Sequence, residues 1–394
     1  MKMADKNGRR SIPWLLFIGF TLIFFFVAQE FFPLRPYVED SARSFGKAID
    51  EGNLARRLFS FMMLNLGAVA VALRFSRPDV LRFAVFSSAC YVFLDLGLEL
   101  YLGTFHPFVL EYRFSGTLHP NYQALNCSML LVSSIAYLRY SRRSKPLLVA
   151  VAMMAVVLLF LTKSRTSFAS AIVVLFVYWL LQTTARQKVG TLFAALAVAC
   201  ITLLFFSEKV IPLVKQGVLM GREGRFTHSL SGRVPLWKTC MAYVERRPIA
   251  GHGFGAFWTP KHITAVANRQ PWAVRSAHSA YIESLLNSGV VGLLLLLTLL
   301  IYGLRYSWLY YRQSREPCYL FFTVILFFGA IHGLMESAIM QIGYLTFLVW
   351  LILYSLAVRP PAIAPAVSPP ADGHTSTRDS AFENTHEQNE PKNA

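Results

Sequence analysis

Two arginines and one histidine have the side chains best suited to chemistry on an anionic substrate. Arg165 lies in the sequence TKSRTSFAS, Arg233 begins the sequence RVPLWKTC, and His278 lies in AHSAYIESLLNSGVVG. A guanidinium group can bind two phosphate oxygens at once. A histidine can accept a proton from an attacking hydroxyl near neutral pH. The three residues therefore predict a site that binds an anion and activates a hydroxyl.

Each of these residues also has a purely structural interpretation. Arg165 lies between two apolar runs, where an arginine can extend toward lipid head groups. His278 can equally be an interfacial histidine whose hydrogen bonds are satisfied. The neighbouring hydroxyl residues favour phosphate binding at Arg165, because hydroxyls also bond to phosphate oxygens. These residues are Ser164, Thr166 and Ser167.

Two further motifs have residues that can contact a ligand. The sequence HPN begins the fourth apolar run, so His119 and Asn121 have either a helix-capping or a ligand-binding role. The sequence GHGFG contains Gly253 and Gly255, where the missing side chains let the backbone approach a ligand closely. No strand precedes these glycines and their spacing differs from that of a nucleotide loop, which argues against a nucleotide site.

The sequence predicts no metal and no cofactor. It contains no DxD or HExxH spacing, and His228, His252 and His262 are widely spread. The cysteines show no CxxC spacing and indicate no disulfide framework. They are Cys90, Cys127, Cys200, Cys240 and Cys318.

Composition places the chain among polytopic membrane proteins. Of 394 residues, 55% are hydrophobic and 32 are phenylalanine. The net charge of +17 would suggest nucleic acid in a soluble protein, but here Lys and Arg concentrate in the links between apolar runs. Nucleic acid is therefore not an expected partner.

The apolar runs predict an all-α fold with about ten membrane-spanning helices. The expected organisation is a bundle over 1–206, a large extracytoplasmic loop with the catalytic elements over 207–279, further membrane helices over 280–358, and a disordered cytoplasmic tail over 359–394. The predicted spans are 12–33, 57–75, 81–101, 121–139, 145–163, 166–183, 190–206, 280–304, 318–335 and 343–358.

The long polar loop is basic, although it is predicted to face outward. Basic residues in alternate links place those links in the cytoplasm, and the loop falls on the other side. From Ser207 to Arg275 it contains eleven Lys or Arg and three Glu. Long loops escape the positive-inside rule, so the topology stands, but the charge points to an anionic ligand.

Local patterns predict three structural details. A helix lying on the membrane surface should present Trp237, Met241 and Val244 on one face and end at Arg247 and Pro248. A helix break near Gly289 should place His278 beside a cavity, with the spanning helix starting near Val290. Asp95 and Glu99 are costly in lipid and should face the bundle interior, although the sequence identifies no partner for them.

One further relation concerns His278 itself. Glu283 follows it by five residues, about 140° around a helix, so the two side chains do not share a helix face. The sequence gives no ground for assigning Glu283 to orient the imidazole.

As a set, these motifs resemble the family of O-antigen ligases and Wzy-type polymerases. The resemblance covers roughly residues 117–354 and depends on the combined spacing. Its elements are the HPN and SRT sequences, Gly232, Arg233 and Trp237, the run PIAGHGFG from Pro248 to Gly255, and His278 and Gly289 separated by ten residues.

The resemblance implies a metal-independent glycosyltransferase of the GT-C type without a cofactor. It would act at the outer, periplasmic face of the bacterial inner membrane. Its donor would be a glycan on undecaprenyl pyrophosphate, and its acceptor a glycan or lipid A core. Arg165 and Arg233 would bind the pyrophosphate, and His278 would activate the acceptor hydroxyl. Membrane lipids, a chain-length regulator and a flippase are the implied partners.

The sequence is compatible with two alternative functions. Within the family, polymerisation of repeat units and ligation of a finished glycan share the same donor chemistry. Outside it, a transporter or flippase for lipid-linked sugars would need charged residues along several helices and a central pathway. The predicted gathering of charge at one outer face favours an enzyme.

Overall fold

The structure, a computed structural model, describes residues 52–141, 143–184, 186–191, 233–268 and 274–358. The described residues belong to one compact unit. The predicted helix 12–33, most of 190–206, the first part of the long loop and the predicted tail 359–394 lie outside the described residues.

The regular elements within these ranges are helices. Their order is α1 (Gly52–Arg74), α2 (Arg77–Tyr101), α3 (Pro120–Tyr137), α4 (Lys145–Leu161), α5 (Arg165–Gln182), α6 (Arg233–Val244), α7 (Pro260–Ala267), α8 (Ala280–Ser314), α9 (Pro317–His332), a short 3-10 helix (Ala338–Met340) and α10 (Tyr344–Val358).

Each predicted span that falls in these ranges coincides with a helix. By length and composition, α2, α5 and α8 can cross a membrane, while α4, α9 and α10 are shorter apolar helices. The all-helical fold is therefore confirmed for the described part of the chain, and the count of about ten spans stays a prediction.

Proline marks the start of several helices. It lies in the first turn of α2, α3, α4, α7 and α9. Proline suits this position because its fixed φ is already helical and its missing N–H has no partner to lose. The chain therefore sets where these helices begin, and with that the placement of the polar residues just before them.

Helix α9 lies at the centre of the bundle and contacts α3, α5, α8 and α10. It is buried along most of its length, including Phe321, Phe322 and Phe328. By contrast, α4 exposes Leu147, Met153 and other large apolar side chains. Contiguous exposed apolar surface of this kind marks a membrane-facing element.

A second, smaller core lies beneath α6 and α7. Leu236, Cys240 and Val244 are buried against Phe257 and Trp258. Val244 is buried and Met241 is 38% exposed, and the position of α6 on the membrane surface stays a prediction. The buried stripe follows the four-residue spacing that places side chains on one side of a helix.

The predicted break in the helix after His278 is confirmed. Gly289 has a φ of 63° and a ψ of −159° inside α8, which is kinked there. The Val290 N–H donates to the Pro248 carbonyl at 2.8 Å, so the segment before the GHGFG turn closes onto the kink. A Cβ added at Gly289 would lie 2.2 Å from the Ile249 carbonyl oxygen.

We expect Gly289→Ala to destabilise the protein by about 3 kcal/mol, because it forces a left-handed residue and a backbone clash together. The thermal unfolding midpoint in detergent measures this. Gly97→Ala is the matched control: a Cβ there meets nothing within 4 Å, so its effect should stay within about 1 kcal/mol. Equal midpoints for the two variants would contradict the interlocked kink.

Candidate functional site

The polar residues of the site meet at one end of the bundle. The starts of α3, α5, α6 and α8 contribute Asn121, Thr166, Arg233 and His278, the last just before its helix. The segment after α9 contributes Glu336. Hydrogen bonds link all five residues, so distant parts of the sequence form a single cluster.

The Glu336 carboxylate is the centre of this cluster. Its Oε1 accepts hydrogen bonds from the Arg233 guanidinium at 2.5 Å and from the Asn121 amide at 3.0 Å. Its Oε2 lies 2.9 Å from Nδ1 of His278. One buried carboxylate therefore holds three residues that the sequence predicted as site residues.

The contact with Glu336 determines which imidazole nitrogen of His278 carries the proton. An ionised carboxylate can only accept a hydrogen bond, so Nδ1 must donate. In the neutral ring Nε2 is then unprotonated and can accept a proton from a hydroxyl. The side chain is 28% exposed, so solvent or a substrate can reach it.

The backbone at His278 is held in an uncommon conformation. Its φ of 47° lies in the left-handed region, which costs about 1–3 kcal/mol for a residue other than glycine. Glu283 fixes the residue before it by accepting the Ala277 N–H at 2.9 Å and the Trp258 indole N–H at 2.6 Å. The Trp237 indole donates to the Ala277 carbonyl at 2.9 Å. Glu283 therefore positions His278 through the backbone, a role that helix geometry alone did not reveal.

The Arg233 guanidinium makes two hydrogen bonds through its terminal nitrogens, whereas its Nε is unpaired among the described residues. It donates to Thr166 Oγ1 at 3.1 Å as well as to Glu336. Its Nε is buried and has no hydrogen-bond partner among the described residues. Burial, followed by the nearby charge of Arg165, lowers the pKa of Arg233, and Glu336 opposes this. Two neighbouring guanidiniums, of which Arg233 pairs with one carboxylate, leave an excess of positive charge that suits an anion.

Glu336 remains charged despite its burial. Burial disfavours the carboxylate, but the hydrogen bond and charge of His278, together with the charges of Arg233 and His332, outweigh it and lower the pKa to about 2. The ion pair with Arg233 is therefore present over the whole physiological pH range.

Helix ends add to the positive potential. The N-termini of α3, α5, α6 and α8 converge on the cluster, and unpaired N–H groups at a helix N-terminus attract anions. Arg165 and Arg233 are themselves the first residues of α5 and α6. The same end of the bundle therefore combines dipoles and guanidiniums.

The HPN residues are placed in two different ways. Nδ1 of His119 accepts the Asn121 backbone N–H at 3.1 Å, so His119 caps α3. The Asn121 side chain instead reaches Glu336 and accepts a hydrogen bond from Arg113 at 3.1 Å. Asn121 therefore belongs to the cluster, and ligand contact by either residue stays a prediction.

Gly253 and Gly255 are placed against α8. The Gly253 N–H donates to the backbone carbonyl of Asn287 at 2.9 Å. The Gly255 N–H donates to the side-chain oxygen of Asn287 at 3.3 Å. A Cβ at Gly251 would lie 2.6 Å from the backbone nitrogen of Gly289. The backbone of this turn therefore packs closely against the kink of α8. Contact of Gly253 and Gly255 with a ligand stays a prediction.

Sequence reasoning missed Glu336 and Arg113. Glu336 lies in the short link between the predicted spans 318–335 and 343–358. The available signal was its isolation: an acidic residue at the end of an apolar helix needs a partner, and the predicted site had two arginines and a histidine but no acid.

No group of three or more His, Cys, Asp or Glu side chains in the described ranges is arranged to hold a metal ion. Metal independence stays a prediction.

The segment that contains Arg165, Arg233 and His278 matches a known protein family. Residues 149–297 match the family Wzy_C, described as O-antigen ligase. The chain contains an O-antigen ligase domain. The matched region includes Arg165, Arg233 and His278, while Glu336 lies beyond it. No curated protein matches the chain.

The matched domain and the apolar helices together indicate a membrane protein. The O-antigen ligase family implies a glycosyltransferase-type enzyme that ligates or polymerises polysaccharide and uses lipid-linked glycans.

We expect Glu336→Gln to destabilise the protein by about 3 kcal/mol above pH 5, because it leaves the buried Arg233 charge unpaired. Because the pKa of Glu336 is lower in the folded protein, the ionised carboxylate adds to the free energy of unfolding. This stabilisation is complete above the ordinary pKa of 4.5 and is lost as the pH falls toward the folded-state pKa of about 2. Unfolding midpoints measured against pH should therefore show a constant gap between wild type and variant from about pH 5 to 8, narrowing below about 4.5.

Glu316→Gln is the matched control for this series. Glu316 pairs with Arg77 at 3.0 Å, but both side chains are about a quarter exposed, so its loss should cost less than about 1 kcal/mol. If Glu336→Gln lowers the unfolding midpoint no more than the control does, the Glu336 carboxylate does not hold the cluster together.

Proposed function

We propose that this protein transfers a glycan from undecaprenyl pyrophosphate to an acceptor hydroxyl. The reaction takes place at the periplasmic face of the bacterial inner membrane. The observation that carries the proposal is the contact of both His278 and Arg233 with the Glu336 carboxylate. A base and an anion-binding group in contact with one carboxylate suit the transfer of a group from a phosphate leaving group to a hydroxyl.

Arg165 and Arg233 bind the pyrophosphate of the donor. Guanidiniums match phosphate oxygens in geometry and stay charged at every physiological pH. The buried Nε of Arg233 supplies a donor without a partner among the described residues. The helix N-termini at the same place add backbone N–H groups.

His278 accepts the proton of the acceptor hydroxyl. As the hydroxyl oxygen attacks the anomeric carbon, a new C–O bond forms and the bond to the pyrophosphate oxygen breaks. The electron pair of that bond leaves with the pyrophosphate, and the anomeric configuration inverts. The proton ends on Nε2 of His278, and Glu336 stabilises the resulting imidazolium through Nδ1.

The arginines lower the barrier by neutralising charge at the leaving group. A lipid pyrophosphate is already a good leaving group, so positioning and charge neutralisation are needed more than a strong acid. The left-handed backbone at His278 and the contacts of Glu283 hold the base in place before the substrate arrives. No metal or cofactor is needed for this route.

The acceptor is either a growing glycan, for a polymerase, or lipid A core, for a ligase. The lipid-linked glycans of cells lacking the protein distinguish the two. Single repeat units accumulating on the carrier would indicate a polymerase, and full-length chains stranded on the carrier would indicate a ligase. A chain-length regulator and a flippase are the expected partners in either case, beside membrane lipids.

Transport of lipid-linked sugar is the alternative from another class. The gathering of Arg165, Arg233, His278 and Glu336 at one end of the bundle supports an enzyme over a flippase, which needs a polar path across the membrane. Release of undecaprenyl pyrophosphate by the purified protein in detergent tests this directly, since a transporter leaves its substrate intact.

We expect His278→Ala to lower this release by about 10²–10⁴-fold, the usual contribution of a general base. His106→Ala is the matched control, because His106 is exposed in the loop after α2, and it should retain wild-type turnover. Full turnover by a folded His278→Ala variant would contradict the assignment of the base.

A further inference from the structure

Arg113 contacts Asn121 of the candidate site and the segment just before Arg165. Its Nε donates to the Thr162 carbonyl at 2.9 Å, three residues before Arg165. One of its terminal nitrogens donates to the side-chain oxygen of Asn121 at 3.1 Å, and the Asn121 amide nitrogen donates to Glu336. A single amide group therefore separates this guanidinium from the central carboxylate.

Glu99 holds the loop that contains Arg113. Its Oε1 accepts the backbone N–H groups of Ser115 at 3.0 Å and Gly116 at 2.6 Å. Its Oε2 accepts the hydroxyl of Tyr112. The residues on both sides of Arg113 are therefore fixed by one carboxylate from α2, which is 5% exposed.

Asp95 fixes the same loop one turn earlier along α2. Its Oδ1 accepts the backbone N–H of Thr117 at 3.1 Å and the hydroxyl of Thr117 at 2.9 Å. Gly116 packs so closely that a Cβ there would lie 2.3 Å from the Asp95 Cβ. Asp95 is 1% exposed, so the sequence expectation that both acids face the bundle interior is confirmed.

Two buried carboxylates are a costly way to hold a loop. Moving a carboxylate out of water costs several kcal/mol unless hydrogen bonds replace the water. Phe114, fully buried, already anchors the loop, and its N–H donates to the Leu161 carbonyl at 3.0 Å. The additional clamp fixes the backbone on either side of Arg113, which is what a preorganised binding group requires.

The charge of the donor provides the reason for a third cation. A pyrophosphate diester has two negative charges, and the charge of Arg233 is shared with Glu336. Arg113 adds a positive charge that one amide group separates from Glu336. In a partly buried site, where screening is weak, an added positive charge favours a diphosphate over a ligand with one negative charge fewer.

We propose that Arg113 is a third guanidinium of the donor site and that its charge selects carriers with a pyrophosphate over carriers with a single phosphate. Its hydrogen bonds to Thr162 and Asn121 hold it in place, and Asp95 and Glu99 fix its loop. The proposal rests on the proposed function, because it concerns the donor of that reaction.

The test compares the affinities of the purified full-length protein for undecaprenyl pyrophosphate and undecaprenyl monophosphate. Arg113→Gln should weaken binding of the pyrophosphate by about tenfold and of the monophosphate by no more than about threefold, so the ratio falls. Arg82→Gln is the matched control. Arg82 pairs with Asp79 near the other end of α2, so the ratio should stay at the wild-type value.

Each outcome decides a different claim. An unchanged ratio in Arg113→Gln, or an equal loss for both lipids, overturns the role of Arg113 while leaving the proposed function intact. A wild-type protein that does not prefer the pyrophosphate overturns both. If Arg113→Gln does not fold, Arg113→Lys decides: it keeps the charge and should keep the ratio within about threefold, and a collapsed ratio overturns the charge assignment.

Discussion

The structure of the site depends on one buried carboxylate. Glu336 accepts hydrogen bonds from Asn121, Arg233 and His278, which belong to three separate parts of the chain. A buried charge is stable only when its partners are in place, so the assembly of the bundle and the assembly of the site are coupled. The same carboxylate sets the tautomer of His278 and holds Arg233 where an anion can reach it.

Preorganisation continues outward from this carboxylate in two directions. On one side, the kink at Gly289 and the turn at Gly251 pack backbone against backbone, which fixes the start of α8 and the segment before it. On the other, Asp95 and Glu99 anchor the loop that leads into α3. Close backbone packing and buried carboxylate hydrogen bonds both resist movement of the chain. The base and the arginines are therefore held in position before the substrate binds.

Local signals were sufficient to predict much of this from sequence. Apolar runs located the described helices, glycine predicted the break at Gly289, and residue type identified Arg165, Arg233 and His278. The partners were not predictable, because Glu336 meets Asn121 across 215 positions and Arg233 across 103.

The most direct test of the account is a double-mutant cycle on turnover of a lipid-linked donor by the purified protein. If Glu336 supports the base through its contact with His278, the loss of kcat in His278→Ala combined with Glu336→Gln should be smaller than the product of the two single losses, as for catalytic residues that depend on each other. Losses of kcat that multiply in full in the double variant would show that Glu336 does not act through the base and would contradict the pairing of the two residues.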